Sequence, residues 1–282
     1  MDIDAVCQRL RAGADKLAMH TASQKNHALE CVKDALLKSR DLILSANAKD
    51  VEASREAGVS EALVERLALD ARKFTSILQA LDVVISQNDP IGEEIAGWKA
   101  LKGMQIRQVR VPLGVVGIIY ESRPNVTVDA FALAYKSGNA ILLRGSSSAL
   151  NSNKAIVSAI AHGLSQAGSD GVRDAICLCE DGSHDDVEQM LGAVGTIDVL
   201  MPRGSSRLIN AVGEKARVPV IQTGAGVCHL YVDDEADISM SVNLTRNSQM
   251  QRPGACNAIE TLLVNKRIAG EFLPALARAL EG

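Results

Sequence analysis

Aromatic residues are scarce in this sequence, which holds three Phe, three Tyr and one Trp among 282 residues. Proteins that bind single-stranded nucleic acid stack successive bases on aromatic rings, and so few rings leave little for such a surface. An excess of one charge is also missing, because 30 Lys and Arg stand against 34 Asp and Glu. The resulting net charge of −4 argues against nucleic acid or an anionic membrane surface as a partner.

Long apolar runs and an export signal are missing as well. No window comes near the roughly 18 apolar residues of a membrane span, and acids stand at the N-terminus where a signal peptide starts with positive charge. The six cysteines form no Cys-x-x-Cys pair, and the five histidines form no cluster with metal-ligand spacing. We therefore expect free thiols in the cytoplasm and no metal site.

The first third of the chain has the periodicity of helices. Apolar residues recur at steps of three, four and seven from residue 2 to about residue 96. Asn88-Asp89-Pro90 is expected to end the helices, because the residue before a proline is disfavoured in the helical region. Residues 104–111 then alternate apolar and polar side chains with one slip, which predicts a strand with an exposed face.

Beyond residue 113, short β-branched runs alternate with helical stretches. The apolar runs cover residues 114–120, 140–143, 175–179, 197–200, 218–221 and 229–232, and the helical patterns cover residues 152–166, 184–194 and 205–216. Continuous apolar strands separated by helices are typical of βαβ units, and hence of a parallel sheet covered on both faces. The predicted fold class is α/β, with a Rossmann-type cofactor domain preceded by N-terminal helices.

Two loops that follow apolar runs carry groups suited to anions. Residues 144–148 read Arg-Gly-Ser-Ser-Ser, and residues 203–206 read Arg-Gly-Ser-Ser. Each loop offers an arginine, a glycine that permits close backbone approach, and hydroxyl donors at the expected carboxyl end of a strand. Gly-Ser pairs also cap ordinary helices, so this pattern alone leaves phosphate binding open.

Cys256 differs from the other five cysteines by its context. It follows a Pro-Gly turn and precedes an apolar run, and the neighbouring Arg252 would favour its thiolate. Most of the other cysteines sit among apolar neighbours and are interpreted as small buried residues. A loop thiol beside a cation is a candidate nucleophile.

These segments resemble the gamma-glutamyl phosphate reductases, also called glutamate-5-semialdehyde dehydrogenases, of the aldehyde dehydrogenase superfamily. The likeness is carried by Tyr120-Glu-Ser-Arg-Pro-Asn125 within residues 111–129 and by Gln251-Arg-Pro-Gly-Ala-Cys256 within residues 251–264. Shorter motifs at residues 137–140, 201–206 and 224–234 agree in order and spacing.

The resemblance implies an aldehyde dehydrogenase-like fold and a role in proline biosynthesis. The implied reaction is the NADPH-dependent reduction of L-glutamyl 5-phosphate to L-glutamate 5-semialdehyde. Cys256 would attack the acyl phosphate and form a thioester. Asn125 and the backbone N–H of Cys256 would donate to the oxyanion.

The resemblance also implies a division of the chain and its partners. Residues 1–102 and 113–222 would form the NADP-binding domain, residues 103–112 a strand of an oligomerisation ribbon, and residues 223–282 a partial catalytic domain. A homo-oligomer and glutamate 5-kinase are the implied partners. Members of the family continue well past residue 282 and return as a tail strand for oligomerisation. We therefore expect the strand at residues 104–111 to lack that partner here and to present an unpaired edge.

The loop residues favour one cofactor. Arg144, Ser146 and Ser147 supply a cation and hydroxyls without an acid, which suits the 2′-phosphate of NADP(H) better than the free ribose of NAD. Gly204 and Ser205 would face the pyrophosphate of the cofactor.

Gln222 distinguishes reduction from oxidation. It aligns with the position where oxidising aldehyde dehydrogenases carry a glutamate, their base for thioester hydrolysis. A glutamine cannot take a proton from water, which would keep the thioester for hydride. Three alternatives stay open: a related acyl-phosphate or aldehyde dehydrogenase, an NADP-binding module without turnover, and a Gln222 that only completes a hydrogen-bond network.

Overall fold

The structure of the chain is a computed structural model. It describes residues 2–180, 184–222, 226–251, 253, 255 and 257–281, without the side chain of His184. The chain divides into two compact units, Met1–Thr223 and Gly224–Gly282. Each unit has a hydrophobic core of its own.

Five helices begin the first unit, as the periodicity predicts. They are α1 Ile3–Ala18, α2 Ala22–Lys38, α3 Arg40–Glu56, α4 Glu61–Leu67 and α5 Ala71–Ser86. Asp2, Thr21 and Asp70 each precede a helix and accept a hydrogen bond from the backbone N–H three residues further on. The last helix ends just before Asn88-Asp89-Pro90, which confirms the predicted end of the helical block.

A β-hairpin follows the helices and corrects the expectation that helical periodicity continues to about residue 96. Strand β1 Glu94–Lys99 pairs antiparallel with β2 Gln105–Val109, so the helical block stops before residue 94. Strand β1 covers one edge of the strand predicted at residues 104–111, and within the described residues no strand lies on its other edge, as expected from the missing tail strand. The turn between them passes through Gly103, whose φ of +84° lies in the left-handed region that favours glycine.

A four-stranded parallel sheet forms the centre of the first unit. Its strands are β3 Val115–Tyr120, β4 Ala140–Arg144, β5 Ile176–Leu178 and β6 Val199–Arg203, in the order β5-β4-β3-β6. The helices that follow these strands are α6 Asn125–Lys136, α7 Leu150–Gln166, α8 His184–Gly192 and α9 Ser206–Lys215. All six residues of β3 are buried, which confirms the reading of continuous apolar runs as strands of a covered parallel sheet.

One predicted strand does not form. Residues 218–221 run beside β6 but make only an isolated bridge between Val220 and Leu200. Pro219 accepts from the Leu200 N–H through its carbonyl, yet its ring nitrogen has no hydrogen to donate in return. A proline in the middle of the run therefore limits the ladder to this short contact.

The register of the sheet brings three strand ends to one level. Ile119 of β3 lies beside Arg144 of β4, and Tyr120 of β3 lies beside Arg203 of β6. After β3, the next two strands in the chain, β4 and β5, lie on one side of β3 in the sheet, and β6 lies on the opposite side of β3. In sheets of this kind, ligands bind outside the carboxyl ends of the strands where the order reverses, which here is between β3 and β6.

The second unit is a small α/β layer. Strand β7 Cys228–Val232 pairs in parallel with β8 Ile259–Val264, and α10 Ile238–Met250 lies between them in the chain. The last helix is α11 Ala269–Leu280, and its Phe272 and Leu276 are buried in the core of the unit. None of the helices in the described part of the chain is long and apolar enough to cross a membrane.

A buried carboxylate joins the N-terminal helices to the sheet domain. Asp50 of α3 is 4% exposed and accepts four hydrogen bonds from the first turn of α7. Two come from the backbone N–H and side-chain amide of Asn151, at 3.3 and 2.8 Å, and two from the N–H and hydroxyl of Ser152, at 2.8 and 2.6 Å. Asp50 therefore caps α7 from a neighbouring helix.

We expect Asp50→Asn to lower the free energy of unfolding by about 2–4 kcal/mol, since it removes the charge and turns an amide nitrogen toward buried donors. Urea unfolding followed by circular dichroism measures the change. The matched control is Glu52→Gln on the exposed side of α3, which should stay within about 0.5 kcal/mol of the unsubstituted chain. Equal stabilities of the two variants would contradict the capping role of Asp50.

Candidate functional site

The carboxyl end of the central sheet gathers the residues that the loops predict. The segment after β3 begins with Glu121 and Ser122, and it lies between the loop after β4 and the loop after β6 because β3 lies between those strands. Each of these two residues makes a hydrogen bond to one of the neighbouring loops. The three strand ends thus form one connected polar surface.

Ser205 holds a carboxylate at the start of α9. It precedes the helix as its N-cap, and its hydroxyl accepts from the Leu208 N–H at 3.4 Å. Its backbone N–H donates to Glu121 Oε2 at 2.9 Å, and its hydroxyl donates to Glu121 Oε1 at 2.6 Å. The N-terminus of α9 is therefore an anion site that a carboxylate of the same chain occupies.

Gly204 leaves the space that this carboxylate fills. A Cβ atom at position 204 would lie 2.6 Å from Cδ of Glu121, closer than real side chains approach. The glycine here leaves room for the Glu121 side chain, and no unusual backbone angle is involved. The sequence predicts close approach of a ligand at Gly204, and the structure places the side chain of Glu121 there.

The loop after β4 is held by hydroxyl contacts. Ser146 and Ser148 join through their hydroxyls at 2.8 Å, and Ser148 joins Ser122 at 2.6 Å. Ser147 is exposed and starts the short 3₁₀ turn Ser147–Ala149 that leads into α7. The predicted Ser146 and Ser147 thus lie on the same surface as Glu121.

Arg144 ends β4 and is half-buried. Burial raises the pKa of the Cys179 thiol to about 12, and the Arg144 cation opposes that rise. Arg144 directly follows Leu143, which pairs with Leu178 of β5 and whose carbonyl accepts from the Cys179 N–H at 2.8 Å. The predicted cation is therefore at the β4–β5 side of the surface, whereas Gly204 and Ser205 are at the β6 side.

Asn125 begins α6 and is half-buried. Its side-chain amide donates to Asp129 Oδ2, one turn further along the helix, at 3.0 Å. Burial raises the pKa of the Asp129 carboxyl, while the hydrogen bond from Asn125 and the cation of Arg203 oppose the rise. The contact orients the amide, and its nitrogen carries a second N–H that can donate to a substrate oxygen.

The candidate nucleophile Cys256 and its neighbour Arg252 lie outside the described residues. The structure does characterise the thiols that compete with Cys256. Burial raises the pKa of Cys7 to about 11 and that of Cys179 to about 12, and it also raises the pKa values of Cys31 and Cys177. These four thiols are therefore poor nucleophiles near neutral pH.

Gln222 is exposed, and its side-chain amide packs against Gly213 of α9.

Within the described ranges, no group of three His, Cys, Asp or Glu side chains is placed to hold a metal ion. The structure thus assigns the polar surface at the sheet end, and no metal cluster, as the candidate site in the described chain.

Three residues of this surface are not predicted from the sequence: Glu121, Ser122 and Asp129. All three lie in the segment that carries the family resemblance. Glu121 and Ser122 follow the central strand directly, and Asp129 stands four residues after Asn125 on one helix face. The position of an acid just after the first strand of a parallel sheet is the signal that would have found Glu121.

Comparison of the sequence and fold with known proteins identifies the family of this chain. The model of the aldehyde dehydrogenase family matches residues 1–282, and the chain belongs to that family. Membership implies a nicotinamide cofactor. The same fold is seen in a propionaldehyde dehydrogenase of Rhodopseudomonas palustris, with a TM-score of 0.69 and 17% identity over 98% of this chain and 59% of the other.

Within the family, the chain is similar to the gamma-glutamyl phosphate reductases, which confirms the resemblance seen in the motifs. The enzyme of Clostridium novyi (strain NT) is 49% identical over 96% of this chain and 64% of its own length. The crystal structure of the Thermotoga maritima enzyme shares 44% identity and a TM-score of 0.92, over 98% of this chain and 66% of the other. The chain therefore spans about two thirds of the length of these relatives.

The raised pKa values lead to a prediction about thiol reactivity. A thiol with a pKa near 11 or 12 is almost fully protonated at pH 7.5, so iodoacetamide should label Cys256 first and Cys7 and Cys179 last. Peptide mapping by mass spectrometry after short labelling times measures the order. Earlier labelling at Cys7 or Cys228 than at Cys256 would contradict the assignment of Cys256 as nucleophile.

Proposed function

We propose that this chain contributes to the NADPH-dependent reduction of L-glutamyl 5-phosphate to L-glutamate 5-semialdehyde and phosphate, in proline biosynthesis in the cytoplasm. The observation that carries the proposal is the anion site at the point where the strand order reverses, formed by Gly204 and the N-terminus of α9. The names of relatives at 44–49% identity support the choice of substrate.

The residues at the sheet end fit a dinucleotide with an additional phosphate. Gly204 and Ser205 would hold the pyrophosphate, while Arg144, Ser146 and Ser147 would hold the 2′-phosphate. When bound, the dinucleotide supplies hydride. No acidic residue occurs in residues 144–148, which supports NADP(H) over NAD(H).

Cys256 is proposed to carry the covalent chemistry. Its thiolate attacks the carbonyl carbon of the acyl phosphate, and the carbon–oxygen bond to phosphate breaks to leave a thioester. Reduction of the thioester gives a thiohemiacetal, which collapses to the aldehyde and returns the thiol. Asn125 is proposed to donate its free amide hydrogen to the oxyanion of each tetrahedral species, together with the backbone N–H of Cys256.

Gln222 is proposed to protect the thioester from water. A glutamine side chain accepts no proton from water at neutral pH, so hydrolysis of the thioester lacks a general base at this position. The Gln222 amide lies beside Gly213 of α9.

The outer strands are proposed to mediate assembly. Residues 103–112 are proposed as part of an oligomerisation ribbon, residues 1–102 and 113–222 as the cofactor domain, and residues 223–282 as part of the catalytic domain. The hairpin of β1 and β2, which includes most of residues 103–112, exposes the apolar side chains of Ile95, Trp98 and Val109. These exposed side chains support a contact with a second copy of this chain. Glutamate 5-kinase remains the proposed heterologous partner.

The choice of cofactor is tested at Arg144. We expect Arg144→Ala to weaken NADPH binding by about 1.5–3 kcal/mol and to leave NADH binding nearly unchanged, because only NADPH has a 2′-phosphate to pair with the cation. Titration by nucleotide fluorescence measures both affinities. The control Arg55→Ala removes an exposed arginine of α3 and should alter neither. An equal loss for both cofactors would show that Arg144 does not contact the 2′-phosphate.

The reaction itself is tested by phosphate release from glutamyl phosphate without NADPH. The unsubstituted protein should release at most about one phosphate per active site, because the thioester then has no acceptor. Gln222→Glu should release phosphate continuously and form glutamate, and more so at higher pH where the new carboxyl is ionised. Cys256→Ala corrects for spontaneous decay of the substrate.

Three outcomes decide the proposal. NADPH-dependent formation of the semialdehyde supports it. NADPH binding without any release of phosphate would identify a binding module without turnover. Continuous release of phosphate by the unsubstituted protein, at a rate comparable to reduction, would show that the missing glutamate is irrelevant.

A further inference from the structure

We propose that Glu121 is a built-in competitor of the cofactor. In the protein without cofactor, its carboxylate takes both hydrogen-bond donors of Ser205 at the N-terminus of α9, and it must turn away before a pyrophosphate can use them. This inference rests on the proposed function, since it assigns the pyrophosphate to the same donors.

The carboxylate and a pyrophosphate exclude each other for three reasons. The backbone N–H and hydroxyl of Ser205 already point to the two oxygens of Glu121, at 2.9 and 2.6 Å. The space in front of Gly204, which a ligand needs for close approach, contains Cγ and Cδ of the same side chain, since a Cβ on Gly204 would meet them at 2.8 and 2.6 Å. Two anions at one helix N-terminus also repel each other.

The backbone of Glu121 is fixed while its side chain is exposed. The Glu121 N–H donates to the Arg203 carbonyl at 3.2 Å, a bond that belongs to the pairing of Tyr120 with Arg203 at the end of β3 and β6. The Glu121 carbonyl accepts from the Arg123 N–H at 2.7 Å. Because the side chain is exposed, rotation about its own bonds brings the carboxylate into water without moving the strand.

The consequence is a lower apparent affinity for the cofactor than the loops could provide. A site that is competent only when Glu121 has turned away binds with an affinity reduced by the fraction of open molecules. In return, the N-terminus of α9 and the loop after β6 are held in place before the cofactor arrives. Glu121 therefore positions this loop in the absence of ligand and weakens the binding that follows.

The test measures NADPH affinity by fluorescence for the full chain and three variants. Glu121→Ala removes the competing acceptor and should bind NADPH roughly tenfold tighter. Glu121→Gln keeps an acceptor oxygen without the charge and should show an intermediate gain. The control Glu52→Gln removes one negative charge from the exposed face of α3 and should bind like the unsubstituted chain.

A salt series separates charge from shape. The gain in NADPH affinity of Glu121→Gln should shrink between 50 and 500 mM salt, because it comes from the loss of repulsion between exposed anions. Over this range the Debye length falls from about 14 to about 4 Å.

Thermal unfolding without ligand should show a small loss of stability in Glu121→Ala, since α9 loses a capping anion.

The outcomes distinguish this inference from the proposed function. Equal affinities for the unsubstituted chain, Glu121→Ala and Glu121→Gln would overturn the competitor role and leave the proposed function intact. Weaker binding by both Glu121 variants would also overturn it and would make Glu121 a cofactor contact. If none of the four proteins binds NADPH, the proposed function and this inference both fail.

Discussion

The parallel pairing of β3 with β4 on one side and with β6 on the other is the constraint on which the first unit depends. All six residues of β3 are buried, so the strand is stable only when neighbouring strands and helices cover it. Its register then sets Arg144 and Arg203 level with the end of β3. From that position Glu121 and Ser122 contact the loops on both sides. The candidate site is a direct consequence of strand order and register.

Asp50 and Glu121 each contact the N-terminus of a helix from another element of the fold, and the difference in their burial separates their roles. Asp50 is 4% exposed and accepts four hydrogen bonds at the start of α7, so releasing it would leave buried donors unpaired. Glu121 is exposed and contacts both donors of Ser205 at the start of α9. Water can replace the contact of Glu121 with Ser205 at little cost, but it cannot reach the buried contacts of Asp50. The same interaction is therefore structural at α7 and exchangeable at α9.

Burial also determines the reactivity of the thiols in the first unit. Cys7 and Cys179 lie in the core around the sheet, and the loss of hydration raises the pKa values of both far above neutrality. A nucleophilic thiol needs the opposite environment, with access to water and a nearby cation. The core that stabilises the sheet thus makes its own cysteines, Cys7 and Cys179, poor nucleophiles near neutral pH.

The sequence alone predicted the helical block and the buried parallel strands, because hydrophobic periodicity is a property of neighbouring residues. It also predicted the family, because the motifs that carry the resemblance are local. It also located Ser146, Ser147, Gly204 and Ser205 in loops after strands. The pairing of residues 104–111 with Glu94–Lys99 depended on a turn at Gly103, and the weak contact of residues 218–221 on the missing donor of Pro219. That Glu121 fills the anion site was decided only by tertiary structure. Residues 121 and 205 are far apart in the chain, and only the sheet register brings them into contact.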